Sequence, residues 1–161
     1  MIGEHTIQHG LKDNWQQFSL LVLVNAFVGA MIGLERAVLP GLGKDIFGLD
    51  ANTAILGFIM AFGITKAISN YSVAKLSKRF NRKHILITGW LFALPVPLLL
   101  MYAETWTWII IANIFLGINQ GLAWSTTVIM KVDIVGQRNR GLAMGINEFA
   151  GYLSVGLASY L

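Results

Sequence analysis

Five apolar runs, each long enough to cross a lipid bilayer, dominate this chain. They lie at roughly 15–39, 52–73, 85–103, 106–130 and 142–161. A spanning helix needs about 20 mostly apolar residues, because the hydrocarbon core is about 30 Å thick and the helix rises about 1.5 Å per residue. Breakers and charges separate the runs: Pro40-Gly41-Leu42-Gly43, the basic stretch from Lys75 to His84, Glu104-Thr105, and Lys131 to Arg140. Pro95 and Pro97 fall inside the third run, where a kink is tolerated if neighbouring groups satisfy the freed carbonyls. The 161 residues are 55% hydrophobic and only 12% charged, against about 25% charged in soluble globular domains. Twelve basic and eight acidic residues cannot clothe a water-facing surface of this length. The pattern predicts an all-α integral membrane fold: a tail over residues 1–14, then a membrane part over 15–161 with the lipid bilayer as its solvent.

The net charge of +4 is not a nucleic-acid signature, because the positives are confined to short segments between apolar runs. There are no cysteines, which excludes disulfides and thiolate metal sites. Residues 1–14 are polar and the first apolar run is too long for a signal-peptide core. Lys and Arg set the orientation. The second-to-third loop carries Lys75, Lys78, Arg79, Arg82 and Lys83, with no acid from Ala51 to Ala103, and Lys131, Arg138 and Arg140 stand between the fourth and fifth runs. The opposite side holds Lys44, Asp45 and Asp50 in one loop and Glu104 in the other. A multi-pass protein of the cell (inner) membrane with a cytoplasmic N-terminus is expected. The basic run also suits a lipid-headgroup anchor, which agrees with that topology.

The chain repeats itself at an offset of 88 residues. Asn25, Phe27, Gly29, Gly33 and Leu34 recur as Asn113, Phe115, Gly117, Gly121 and Leu122, and Gly48, Gly57 and Gly63 recur as Gly136, Gly145 and Gly151. With three spans per repeat, successive copies enter the membrane from opposite sides. Such inverted repeats mark secondary transporters, whose substrate site lies near the midplane between repeats. The G-x-x-x-G pairs also let two helix backbones approach closely.

These features resemble the major facilitator superfamily (MFS), whose halves are each built from two inverted three-helix repeats. The superfamily's signature after its second helix runs roughly G-x-x-x-D-R-x-G-R-K. Here the stretch from Ala74 to Lys83 matches at Arg79, Arg82 and Lys83, with Asn81 at the turn glycine, since Asn tolerates positive φ. Lys78 replaces the aspartate and Ala74 the first glycine. Gln137-Arg138-Asn139-Arg140-Gly141 is similar to the superfamily's loop into its fifth helix. The resemblance implies five transmembrane helices of a six-helix N-terminal half. It also implies a partner in the missing C-terminal half, because members have about twelve spans and this chain stops inside its fifth. Two departures weaken a drug–proton antiport reading. Asn113 stands where such antiporters often carry an arginine, and no G-P pair follows Gly151 on the fifth span.

An intramembrane charge costs about 2.5–3.5 kcal/mol on insertion scales, so each one needs a reason. Glu148 lies eight residues into the fifth span and Lys66 at nearly the same depth; both are candidates for proton or substrate sites in a water-filled cavity. The alternative for Lys66 is snorkelling to the interface. Glu35 and Arg36 sit near the outer mouth. At 100° per residue Arg36 shares a face with Asn25 while Glu35 points away, so Arg36 is a candidate outer-gate contact for an anion, or the two simply end the helix. Asn113, Gly117, Gln120, Trp124, Thr127 and Lys131 form one stripe on the fourth span. By resemblance the first and fourth helices line the central cavity, so Asn25, Asn113, Gln120 and Trp124 are assigned to substrate contact. The competing reading is interhelical hydrogen bonding, worth about 0.6 kcal/mol each in membranes.

By resemblance, too, Asp133 pairs with Arg79 or Arg82, with Lys78 beside them, to latch the cytoplasmic gate. His5 and His9 have an i, i+4 spacing but no third ligand, so neither a metal nor a cofactor is expected. An enzyme would need a nucleophile–base or metal constellation within the spans, and the only histidines are His5, His9 and His84. Secondary active transport of a small solute by alternating access is therefore expected, with a non-transporting sensor or a channel as the alternative.

Overall fold

A computed structural model describes residues 10–161, which form helices and turns with no β-strand among them. The helices are α1 (Trp15–Asp45), α2 (Ala51–Leu76), α3 (Arg82–Ala93), α4 (Pro95–Met101), α5 (Trp106–Val135) and α6 (Arg140–Tyr160). α3 and α4 run on as one apolar rod of 20 residues. That rod, α1 and α5 are each long and apolar enough to cross a membrane by length and composition. α2 and α6, at 26 and 21 residues, also have the length.

Side chains are distributed in the reverse of a soluble protein. Asn25, Asn119, Gln120, Thr126, Thr127, Lys131 and Asn147 have no exposed surface at all, whereas Phe27, Leu34, Met60, Ile68, Leu91 and Phe149 point outward. An outer face of large apolar residues is stable against acyl chains and not against water. α5 is the hub: 67% of its most apolar stretch is buried, against 22% for the α3–α4 rod.

Two crossings organise the bundle. α1 packs along α6, and α2 packs along α5. Adding 88 residues carries α1 onto α5 and α2 onto α6, so one crossing is made twice, once in each direction through the membrane. The G-x-x-x-G pairs lie at both. A Cβ on Gly117 would stand 2.7 Å from the Phe62 carbonyl oxygen, and one on Gly121 2.9 Å from that of Lys66. In the same way, side chains at Gly29 and Gly33 would strike the backbone of Gly151 and Val155. The repeat also recurs in the turns: Gly48 and Gly136 are the two residues with positive φ among the described residues, at 60° and 73°, a region costly for any residue with a Cβ.

Three boundaries differ from expectation. α1 does not stop at Pro40 but continues to Asp45. The ring removes one N–H from the ladder, yet Leu39 and Leu42 pack with Phe47, Phe58, Ile109 and Trp106 and hold the additional turn. α5 likewise runs on to Val135, so Lys131 and Asp133 are helical and not loop residues. The third span breaks in its hydrogen bonding at Leu94, before Pro95, but Leu94 keeps helical dihedral angles and the rod continues. The basic connection before it starts cleanly, because the Asn81 side chain caps α3 by accepting from the Lys83 amide at 2.9 Å.

The glycine contacts make a direct test. Gly121→Ala is expected to destabilise the protein by about 1–3 kcal/mol through overpacking against α2. Gly63→Ala, which meets open space, should leave the thermal midpoint in detergent unchanged. Equal midpoints for the two variants would remove the close-approach role.

Candidate functional site

The polar interior converges on one cluster drawn from four helices. α5 supplies Gln120, Trp124, Thr127 and Lys131, each three or four residues after the last and so on one face. α6 supplies Asn147, Glu148 and Tyr152, α1 supplies Asn25, and α2 supplies Phe62 and Lys66. The Trp124 indole Nε1 donates to Glu148 Oε1 at 2.9 Å, and Asn147 Nδ2 donates to the same oxygen at 2.8 Å. Lys131 Nζ donates to the Leu21 carbonyl at 3.0 Å and to Asn147 Oδ1. Lys131, Asn147, Glu148 and Trp124 therefore form a continuous hydrogen-bonded line. Lys66 Nζ closes it, 5.0 Å from the Trp124 ring centroid and 5.7 Å from that of Phe62. Tyr152 meets the other side of Trp124 edge-on at 5.7 Å. Gly151 makes room for this ring, since a side chain there would collide with it.

Of the residues assigned to substrate contact, Asn25, Asn113 and Gln120 lie in packed interfaces. Asn25 Nδ2 donates to the Asn147 carbonyl at 2.9 Å, and its Oδ1 lies 3.3 Å from the Thr127 hydroxyl. Gln120 Nε2 donates to the Val28 carbonyl, tying α5 to α1. Asn113 Nδ2 donates to Ile109 O within its own helix at 3.0 Å. Trp124 alone touches the half-exposed charged pair, Lys66 and Glu148.

The outer pair is placed differently from the helical-wheel expectation. Glu35 does not point away from the bundle: it is buried, and its Oε1 has no hydrogen-bond partner. Arg36 is exposed at the rim of the same small cavity, which Ile32, Phe58, Phe62 and Asn113 also line. Both charges reach it because the wheel of a helix packed on two sides has two inward faces. The cavity holds about one water (10 Å³) and is too small for a solute as it stands.

At the basic end, Arg82 forms an ion pair with Asp133, joining α3 to α5, and both side chains are about 40% exposed (40% and 42%). An exposed pair of this kind is worth at most about 1 kcal/mol. Lys78 and Arg79 line a surface pocket with Lys75, Leu76 and Phe80. His5 and His9 lie outside the described residues.

The structure adds Phe62, Asn147 and Tyr152 to the residues that the sequence singles out, and it places Lys131, the last member of the α5 stripe, in the cluster and not in a loop. Asn147 is the polar neighbour of Glu148, a signal available from an amide in an otherwise apolar span.

The architecture is matched by comparison with known proteins. The family model described as the Major Facilitator Superfamily aligns with residues 18–161. The chain belongs to that superfamily. It is a multi-pass membrane protein of a transporter family, and its members are not enzymes. It is also similar to an uncharacterized MFS-type transporter of Schizosaccharomyces pombe, at 23% identity over 130 residues. That match covers 78% of this chain and 29% of the relative, so the chain spans under a third of that protein's length. No solved structure matches the chain. The cluster joins α1 and α2, from the first 88-residue repeat, to α5 and α6, from the second.

The Lys131–Asn147 contact predicts a non-additive response. Asn147→Leu strands a buried ammonium and is expected to cost about 3–5 kcal/mol. Lys131→Met removes the charge itself and should cost less. The double variant should then be more stable than Asn147→Leu alone, as read from thermal midpoints of all four proteins. Additive losses would show that the two side chains are not coupled.

Proposed function

We propose that these helices serve secondary active transport of a small solute by alternating access, together with a second half of the transporter that forms the facing wall. The observation that carries this reading is the cluster of Lys66, Trp124 and Glu148, whose two charged residues are partly exposed beside a buried indole. It places two opposite charges and an indole at the junction of inverted repeats, where transporters of this construction bind substrate. Charges in such a position are costly and are retained where they meet water, substrate or coupling ions. The N-terminus and both basic loops face the cytoplasm, following the distribution of Lys and Arg.

In this reading Trp124 and Lys66 contact the solute and Glu148 takes up the coupling proton. The carboxylate suits that task because it already accepts two hydrogen bonds from neutral donors, Trp124 Nε1 and Asn147 Nδ2. Protonation adds one hydrogen and removes one charge without dismantling the scaffold. Asn25 and Gln120 hold α1 against α6 and α5 so that Trp124 stays oriented, and Asn113 joins Glu35 and Arg36 at the outer mouth. Arg82 with Asp133, backed by Lys78 and Arg79, latches the cytoplasmic side. A weak exposed ion pair suits a latch that must open in every cycle.

Reconstitution in proteoliposomes, together with the second half of the transporter, tests the coupling. Glu148→Gln should abolish uphill accumulation driven by a proton gradient while preserving exchange of solute at zero gradient. Lys66→Ala should impair both. Full accumulation by the Glu148→Gln protein would remove that carboxylate from the mechanism.

A further inference from the structure

The charge balance around Trp124 says what kind of solute this cluster takes. Lys66 is buried along its stem, with its ammonium against the faces of Trp124 and Phe62. Among the described residues it forms neither an ion pair nor a hydrogen bond. Its charged neighbours are Arg36 and Glu148. Lys131 also has Glu148 as its charged neighbour. Around Trp124 two cations, Lys66 and Lys131, thus share one carboxylate, Glu148, and one positive charge is uncompensated. Glu148 already accepts two hydrogen bonds at Oε1, from Trp124 and Asn147, whereas Lys66 donates none. A cationic solute arriving here would meet Lys66 in the place it needs. An anion would meet three unused N–H donors flanked by aromatic surface.

We propose that this site binds organic anions with an aromatic or apolar body, the anionic group on Lys66 Nζ and the body against Trp124, Phe62 and Tyr152. The inference rests on the transport reading given above and assigns its substrate class. Cation–π contact positions the ammonium in the empty site, so the anion is met by a cation held in place. A charge-assisted hydrogen bond in a site of low dielectric then supplies the selectivity for anions over neutral analogues. The edge-on Tyr152 hydroxyphenyl group is 65% exposed, which leaves the aromatic wall open on the side a solute would approach.

The experiment uses 4-bromobenzoate, 4-bromobenzyl alcohol and 4-bromobenzylamine as probes of one shape and three charges, with bromine quenching of tryptophan fluorescence in the detergent-purified full chain. Saturable quenching is expected from the carboxylate, weaker for the alcohol by at least about tenfold, the size of one charge-assisted hydrogen bond. Trp124→Phe should remove the quenched component. Lys66→Met should weaken carboxylate binding by a similar factor to the loss of the probe's charge, and Lys66→Arg should restore it, which a merely structural lysine would not do. Stronger quenching by the amine, carboxylate binding unaffected by Lys66→Met, or no saturable quenching by any probe overturns the assignment. Counterflow of the same three probes, in proteoliposomes that hold this chain together with the second half of the transporter, separates the two readings. Amine flux without carboxylate flux defeats the anion assignment and leaves transport standing. Saturable carboxylate binding with no flux of any probe defeats transport and leaves the anion site standing.

Discussion

In lipid, apolar side chains gain nothing by leaving the solvent, so helices must find another reason to associate. Here that reason is backbone contact at glycine. Where Gly117 and Gly121 meet α2, and Gly29 and Gly33 meet α6, the helix axes come close enough that no side chain fits between them. Dispersion contacts and main-chain dipoles then act at short range across two long interfaces. The polar cluster depends on this approach. Trp124 reaches Glu148 only because Gly151 leaves room for its ring, and the amides of Asn25 and Gln120 reach main-chain carbonyls of neighbouring helices only at that separation.

The same geometry explains why so many polar side chains are fully buried in a bundle coated with Phe, Leu and Ile. A lone amide in hydrocarbon costs several kcal/mol, at about 4–8 for transfer into a solvent that cannot hydrogen-bond. Asn25, Asn119, Gln120 and Lys131 lower that cost by donating to main-chain carbonyls of neighbouring helices. Lys131 is the extreme case: its ammonium has no exposed surface and is shared between the Leu21 carbonyl and Asn147 Oδ1. Its partner in charge, Glu148, lies one hydrogen bond further on. In the proposed transport reading, local stability and solute recognition share residues, and the partly exposed charges, Lys66 and Glu148, are the part left for chemistry.

The duplicated crossing also gives the fold its mechanical character. Two near-equivalent helix pairs, α1 with α6 and α2 with α5, run in opposite senses through the membrane and meet along α5. In the proposed alternating-access cycle, a rocking motion that loosens one pair at one membrane face is mirrored by the other pair at the opposite face. The exposed Arg82–Asp133 pair ties α3 to α5 at one end only, which makes the two ends energetically distinct despite the repeat.

Much of this was legible in the one-dimensional chain. The apolar helices, the 88-residue repeat and the close approach at its G-x-x-x-G pairs follow from length, hydropathy and spacing, because a bilayer imposes a fixed thickness and glycine lets two helix backbones meet. Lys66, Glu148 and Trp124 stood out because charge and amide groups are expensive in an apolar run. What the sequence could not decide was partnership. Whether Pro40 ended α1 depended on Leu39 and Leu42 meeting Trp106 and Phe58. Whether Lys131 was a loop cation depended on Asn147, sixteen residues away. Whether Glu35 faced in or out depended on which neighbours packed against α1. Periodicity assigns a residue to a face of its own helix, but only the packing of other helices decides what that face meets, and the chemistry of this protein resides in those meetings.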